Sequence, residues 1–187
     1  MIEGVGVKKF GDMRQDVIYD RVQIPAANPK GTELVWFRDI QSKTRLDTNM
    51  SLSSKLPENQ EALVYRINFM IQADCPPKDV QKVAALAYGE MVLDDDNRVM
   101  SGPIAIFASS KGLYGNIMTT ANNAQEGVVS MGVPSPGAIP RLMLPIYISE
   151  NRTFRFNVHF YEVCDLPSGS ATYAWVILDS LVTRPLR

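Results

Sequence analysis

Residues 61–71, EALVYRINFMI, alternate strictly. Leu63, Tyr65, Ile67, Phe69 and Ile71 fall on one side, and Ala62, Val64, Arg66, Asn68 and Met70 on the other. A period of two over that length is the pattern of a β-strand with one face in a core, and an α-helix cannot place those residues on one side. The same pattern recurs over 153–161, where Phe154, Phe156, Val158 and Phe160 alternate with Arg155, Asn157, His159 and Tyr161. Residues 172–182 are apolar on both faces, which predicts a central or covered strand. The chain holds 12 Gly and 12 Pro in 187 residues, and these sit mostly outside the long strands. Such residues break helices and shape turns, so a helical bundle is disfavoured.

Weaker signals fill in the rest. Leu34, Trp36 and Ile40 suggest a first strand near 33–41. After Pro76 and Pro77, Asp79 reads as a helix cap, Val80, Val83, Ala84, Leu86 and Ala87 approach helical spacing, and Gly89 reads as the stop. Glu90–Leu93 and Arg98–Met100 read as a hairpin around Asp94, Asp95, Asp96 and Asn97, and Ile104–Ala108 as a further short strand. Residues 141–149 predict a strand with Leu142, Leu144, Ile146 and Ile148 on one face. Between them, 109–140 carries five Gly and three Pro without periodicity, longer than an ordinary connection and hence a candidate contact loop. Residues 1–31, ending in IPAANPKG, read as an N-terminal arm or lead-in segment, followed by a single domain over 32–187. About eight strands and one short helical insertion predict an all-β fold, an antiparallel β-sandwich or barrel whose strand count a jelly roll fits.

Several function classes fall away. The longest apolar runs, Val83–Tyr88 and Tyr173–Leu178, are six residues each, against roughly 20 for a membrane-spanning helix. The first residues carry no apolar stretch of signal-peptide length. Cys75 and Cys164 lie far apart and form no C-x-x-C pair, so two free, partly buried thiols are expected rather than a zinc module. Nineteen basic and 20 acidic residues give a net charge of −1, unlike a chain built to neutralise nucleic-acid phosphates. The arm follows suit: Lys8, Lys9, Arg14, Arg21 and Lys30 stand against Glu3, Asp12, Asp16 and Asp20, with no block of like charge.

Chemistry-bearing candidates are few. His159 is the single histidine, so a His-rich metal site has no ligands, and no G-x-S-x-G elbow accompanies it. It reads as a surface or interface residue. The acidic run at 94–97 lacks EF-hand spacing and a closing Glu, and reads as a solvated hairpin tip. Gly4-Val5-Gly6 lacks the third glycine of a dinucleotide fingerprint. The sequons at Asn49 and Asn151 carry little weight without a secretion signal. The expectation is a protein that is not an enzyme, with no catalytic, cofactor-binding or metal residues and no cofactor.

Three stretches together resemble the jelly-roll capsid proteins of tailless icosahedral bacteriophages and viruses. The first is Asp47-Thr48-Asn49-Met50 with Lys55-Leu56-Pro57-Glu58-Asn59-Gln60 feeding the strand Ala62–Ile71. The second is Ser101-Gly102-Pro103-Ile104 before Lys111-Gly112-Leu113-Tyr114-Gly115. The third runs through Leu144-Pro145-Ile146-Tyr147-Ile148, Asn151-Arg152-Thr153-Phe154 and Phe156-Asn157-Val158 to the ending Val176–Pro185, of the form V-x-L-D-x-x-x-x-R-P. The resemblance covers roughly 45–187. Double jelly-roll members need longer chains, so one jelly roll per chain is what fits.

The resemblance implies a capsid subunit that self-assembles into the icosahedral shell of a virion, built in the host cytoplasm. Its partners would be identical subunits and other virion proteins, with no sequence-specific contact to nucleic acid; membrane contact is open but not indicated. The arm and 109–140 are the expected contact segments, and removing 1–31 is expected to leave a folded domain that no longer assembles. The alternative is a receptor- or carbohydrate-binding β-sandwich module of a virion, a decoration or fibre protein, with Trp36, Tyr114, Tyr147 and Trp175 as stacking faces.

Overall fold

A computed structural model of the chain describes residues 13–72, 74–94, 96–107, 117–119, 125–127 and 142–183. In chain order the elements are β1 (Met13–Ile24), β2 (Thr32–Trp36), β3 (Ala62–Ile71), α1 (Pro77–Leu86), β4 (Ala87–Leu93), β5 (Asn97–Pro103), a 3-10 turn (Ile104–Phe107), β6 (Ile117–Thr119), β7 (Gln125–Gly127), β8 (Ile146–Ile148), β9 (Phe154–Phe160) and β10 (Thr172–Thr183). Two four-stranded sheets result, ordered β1-β10-β3-β8 and β2-β9-β4-β5, while β6 and β7 pair with each other. Every pairing is antiparallel. The protein is all-β and sandwich-like, with one short α-helix.

The two sheets face each other across an aromatic core. Trp36 of β2 meets Phe69 of β3 edge-on at 5.8 Å and Phe156 of β9 at 6.2 Å, and Phe107 meets Phe156 at 5.0 Å. All four side chains are fully buried. The indole N–H of Trp36 donates to the Ala174 carbonyl at 3.0 Å, so the ring's polar atom is satisfied inside the core. The expected inward row of β9, Phe154, Phe156, Val158 and Phe160, is wholly buried, and β10 lies between β1 and β3 as its two apolar faces required.

Several boundaries differ from the sequence reading, each for a local reason. Residues 13–24, expected in the arm, form the edge strand β1, paired with β10 from Met13↔Thr183 to Ile24↔Thr172. The strand expected near 33–41, β2, stops at Trp36 instead of running to 41, because Phe37 turns into the left-handed region at φ 69°. Ile104–Phe107 coils as a 3-10 turn after Pro103 rather than extending. Asp79 does not cap α1; Pro76 holds that position, with Pro77 opening the helix. The Asp79 carboxylate is instead buried, accepting the Ser168 backbone N–H at 3.0 Å and the Ser168 hydroxyl. Gly89 is no helix stop either. It lies within β4, where a Cβ would stand 2.8 Å from the Phe156 ring and 2.9 Å from that of Phe107.

Within β3 the register with β10 shifts between Asp179↔Arg66 and Ser180↔Val64, leaving Tyr65 as an extra residue. Such a bulge inverts the alternation. Ala62 and Val64 point inward before it and Ile67, Phe69 and Ile71 after it, so Leu63 and Tyr65 belong to the outer face. The strand expected at 141–149 shrinks to Ile146–Ile148, because Pro145 has no N–H to give a ladder. The hairpin around 94–97 forms as β4 and β5, with Asp94 at φ 56°. Apart from β6 and β7, the expected contact loop 109–140 lies outside the described residues, as do Gly4-Val5-Gly6, Asp95, Tyr114 and Arg184-Pro185.

Candidate intersubunit surface

The outer face of the β1-β10-β3-β8 sheet is built by the outward rows of three long strands. By register Tyr19 of β1 lies beside Ile177 of β10, Met70 of β3 beside Trp175, and Leu63 of β3 beside Leu181 at the other end, with Val17 beside Asp179, each half-buried. An apolar outer row in a two-layer fold is uncommon, because nothing in the core requires it. Arg66 and Asp179 sit in its middle as an ion pair at 3.4 Å, with side chains 13% and 20% exposed. The bulge at Tyr65 opens a cleft of about 430 Å³ there, lined by Gln15, Val17, Tyr65, Arg66, Asp179 and Leu181 among others.

One end of this face is sealed by residues 43–49. Arg21 stacks on Tyr173 at 4.4 Å and Trp175 at 5.3 Å while pairing with Asp47. The Trp175 indole donates to the Leu46 carbonyl at 3.3 Å, and the Tyr19 hydroxyl donates to the Arg45 carbonyl. Backbone and hydroxyl N–H and O–H donors of Thr44 hold the Asp47 carboxyl below its usual range, and the Arg21 guanidinium adds to this. Asn49 acts as a short false strand on the free edge of β1. Its side-chain oxygen accepts the Tyr19 N–H at 3.0 Å and its amide donates to the Val17 carbonyl at 2.6 Å. The Thr48 hydroxyl donates to the Tyr19 carbonyl at 2.9 Å. An open strand edge templates unwanted pairing, and this step blunts it. The Asn49 sequon is thus committed to structure.

The opposite outer face, on β2-β9-β4-β5, is polar. Glu90 of β4 is buried to 4% exposure beside Asn157 of β9, with Arg98 Nε at 3.4 Å and His159 Nε2 at 3.5 Å from its carboxylate. His159 stacks on Tyr161 at 5.9 Å, and the Tyr88 hydroxyl bonds Ser101 at 3.2 Å. The His159 side chain lies on this outer face, 22% exposed. Asp94 pairs with Arg152 at 3.3 Å, and Asp96 is exposed. Cys75 and Cys164 are both free, and burial pushes both thiols up in pKa.

Of the aromatics named as stacking faces, Trp36 is sealed in the core and Trp175 is occupied by Arg21 and Leu46. Tyr147 is half-buried opposite Leu63 on β3, and burial raises its hydroxyl. The sequence reading missed the most exposed apolar pair among the described residues, Met143 at 100% and Leu144 at 79%, by placing it inside a strand. Pro145 was the available signal. No protein-family model, curated protein or solved structure matches this chain.

Proposed function

We propose that the chain is a virion structural protein, a single jelly-roll capsid subunit that self-assembles, and that it works without catalysis. The observation that carries the reading is the nesting of the strand pairs. With the small β6–β7 hairpin set aside, the eight sandwich strands pair first with last (β1–β10), second with seventh (β2–β9), third with sixth (β3–β8) and fourth with fifth (β4–β5). A long hairpin folded over on itself yields that order, and a jelly roll is such a hairpin rolled into two sheets. The capsid resemblance supplies the function, since a fold alone does not. In this reading β1 belongs to the domain, which then includes part of the expected arm.

The half-buried apolar outer face and the blunted β1 edge support the same conclusion. They suit a protein whose work is lateral contact with identical neighbours while strand-to-strand aggregation is suppressed. The partners are copies of the chain and other virion proteins, assembled in a host cytoplasm, with no sequence-specific grip on nucleic acid. The carbohydrate-binding alternative loses Trp36 as a stacking face. Light scattering and negative-stain microscopy of the expressed chain test the proposal. Rings or closed shells are the expected result, whereas a monomer at all concentrations that binds glycans saturably would replace this reading with the alternative.

A further inference from the structure

Met143 and Leu144 precede β8, the strand at one edge of the β1-β10-β3-β8 sheet, and the Leu142 N–H anchors them by donating to the Tyr65 carbonyl at 2.9 Å. At the other edge a second cleft, of about 220 Å³, opens between β1 and the approach to β3. Ile18, Met50, Leu56, Pro57 and Val182 give it apolar walls, with Arg14 and Asp16 paired at 2.8 Å on its rim. A cavity of about 150 Å³ holds the six carbons of benzene, so the eight side-chain heavy atoms of a Leu and a Met need about 200 Å³. The cleft matches them in volume, and its apolar walls are interrupted by polar ones from Asn49, Ser51 and Gln60. Two strands, β10 and β3, separate knob from cleft, about 14 Å at ordinary strand spacing, and the knob is exposed in its own chain.

Resting on the self-assembly reading above, we infer that the Met143–Leu144 knob at the β8 edge of one copy seats in the β1-edge cleft of a second copy. Such a contact is head-to-tail: each subunit offers a different surface to each of two neighbours, giving a ring where the rotation closes and an open filament where it does not. The two side chains bury on the order of 200 Å² of apolar surface, far below the roughly 800 Å² per partner of a stable pair. One knob in one cleft therefore makes a weak contact, and a copy that uses both surfaces buries about 400 Å², so this contact sets the geometry of association while other surfaces add to its strength.

The test compares the full-length wild type with the knob variant Met143→Lys/Leu144→Lys and the seat-blocking variant Ser51→Trp by light scattering over a concentration series. Ser51 is an exposed residue lining the cleft. Circular dichroism melts verify folding, and a mixture of Leu144→Cys and Ser51→Cys chains is oxidised as a readout that does not depend on either bulky variant folding. Both variants are expected to weaken association at least tenfold, and the cysteine mixture to give a disulfide-linked dimer joining the two different chains. A wild type that assembles while both variants assemble equally well, with no cross-link, overturns the knob-in-cleft contact and leaves self-assembly standing; the cleft is then filled by another segment or partner. Dissociation of the knob variant alone also overturns it, since the knob then docks elsewhere. A wild type that stays monomeric throughout removes the self-assembly reading itself, and this contact with it.

Discussion

Asp20 ties the two layers together, and its removal should be among the most damaging single changes outside the aromatic core. It points inward from β1, is fully buried, and takes Lys43 Nζ on both carboxylate oxygens at 2.8 Å. One of those oxygens also accepts the Phe37 N–H at 2.6 Å, at the left-handed residue that ends β2. Asp20→Ala strands a mostly buried ammonium, 16% exposed, and orphans a buried N–H. Breaking a buried pair from one side costs about 3–5 kcal/mol and an orphaned donor about 1–3 kcal/mol, the two overlapping through the shared carboxylate. We expect a net loss of about 4 kcal/mol. At a urea slope of about 2 kcal/mol per molar, the unfolding midpoint falls by about 2 M, read by tryptophan fluorescence from the buried Trp36. Adding Lys43→Met should recover part of the loss, because it removes the uncompensated charge. A midpoint shift under about 0.5 M for Asp20→Ala, or no recovery in the double variant, would refute the argument.

Further outcomes follow from other contacts. Deleting 1–31 strips β1 from β10 along its whole length, so the expected product is insoluble or unfolded by circular dichroism; a folded, soluble remainder would show that β1 is dispensable. Asp47 has a lowered folded-state pKa, so its stabilising contribution is present above the ordinary carboxylate value of 3.8 and is lost as pH falls through the lower folded value. Trp175 fluorescence should therefore change in acid below about pH 4, and Asp47→Asn should abolish that step. Gly89→Ala drives a methyl into the Phe156 and Phe107 rings. Overpacking of about 1–3 kcal/mol should lower Tm by about 5 °C in calorimetry, and an unchanged Tm would contradict the close approach. With both thiols raised by burial, Ellman's reagent should react slowly with the native protein, Cys75 before the fully buried Cys164, and promptly with both in denaturant.

The long strands were legible because their inner rows are uniformly apolar, β9 most of all. β1 was not, and the reason is Asp20: an inner row reading Asp16, Ile18, Asp20, Val22, Ile24 looks polar, since a satisfied buried carboxylate carries no mark in the sequence. The phase change in β3 was hidden for the opposite cause. Both of its rows are largely apolar, so an inversion at Tyr65 leaves the pattern equally plausible on either side. Leu142 to Ile148 alternates as a strand should, but hydrophobicity cannot report that Pro145 withholds a ladder hydrogen bond. The edge-blunting role of Thr48 and Asn49 depends on a partner some 30 residues away, which no local pattern encodes.

Nested pairing also sets the order in which the chain can complete itself. The innermost ladder starts at Leu93↔Asn97, four residues apart, whereas the outermost spans 148 residues at its nearest point, Ile24↔Thr172. Closing the longer loop from an open chain costs roughly 3 kcal/mol more in entropy, so the inner hairpin nucleates and each formed pair shortens the search for the next. During synthesis β1 leaves the ribosome before β10 and waits for it. Until then its inner row and its β10-facing edge lie open, while the step at Thr48-Asn49, already translated, covers the opposite edge at Val17 and Tyr19.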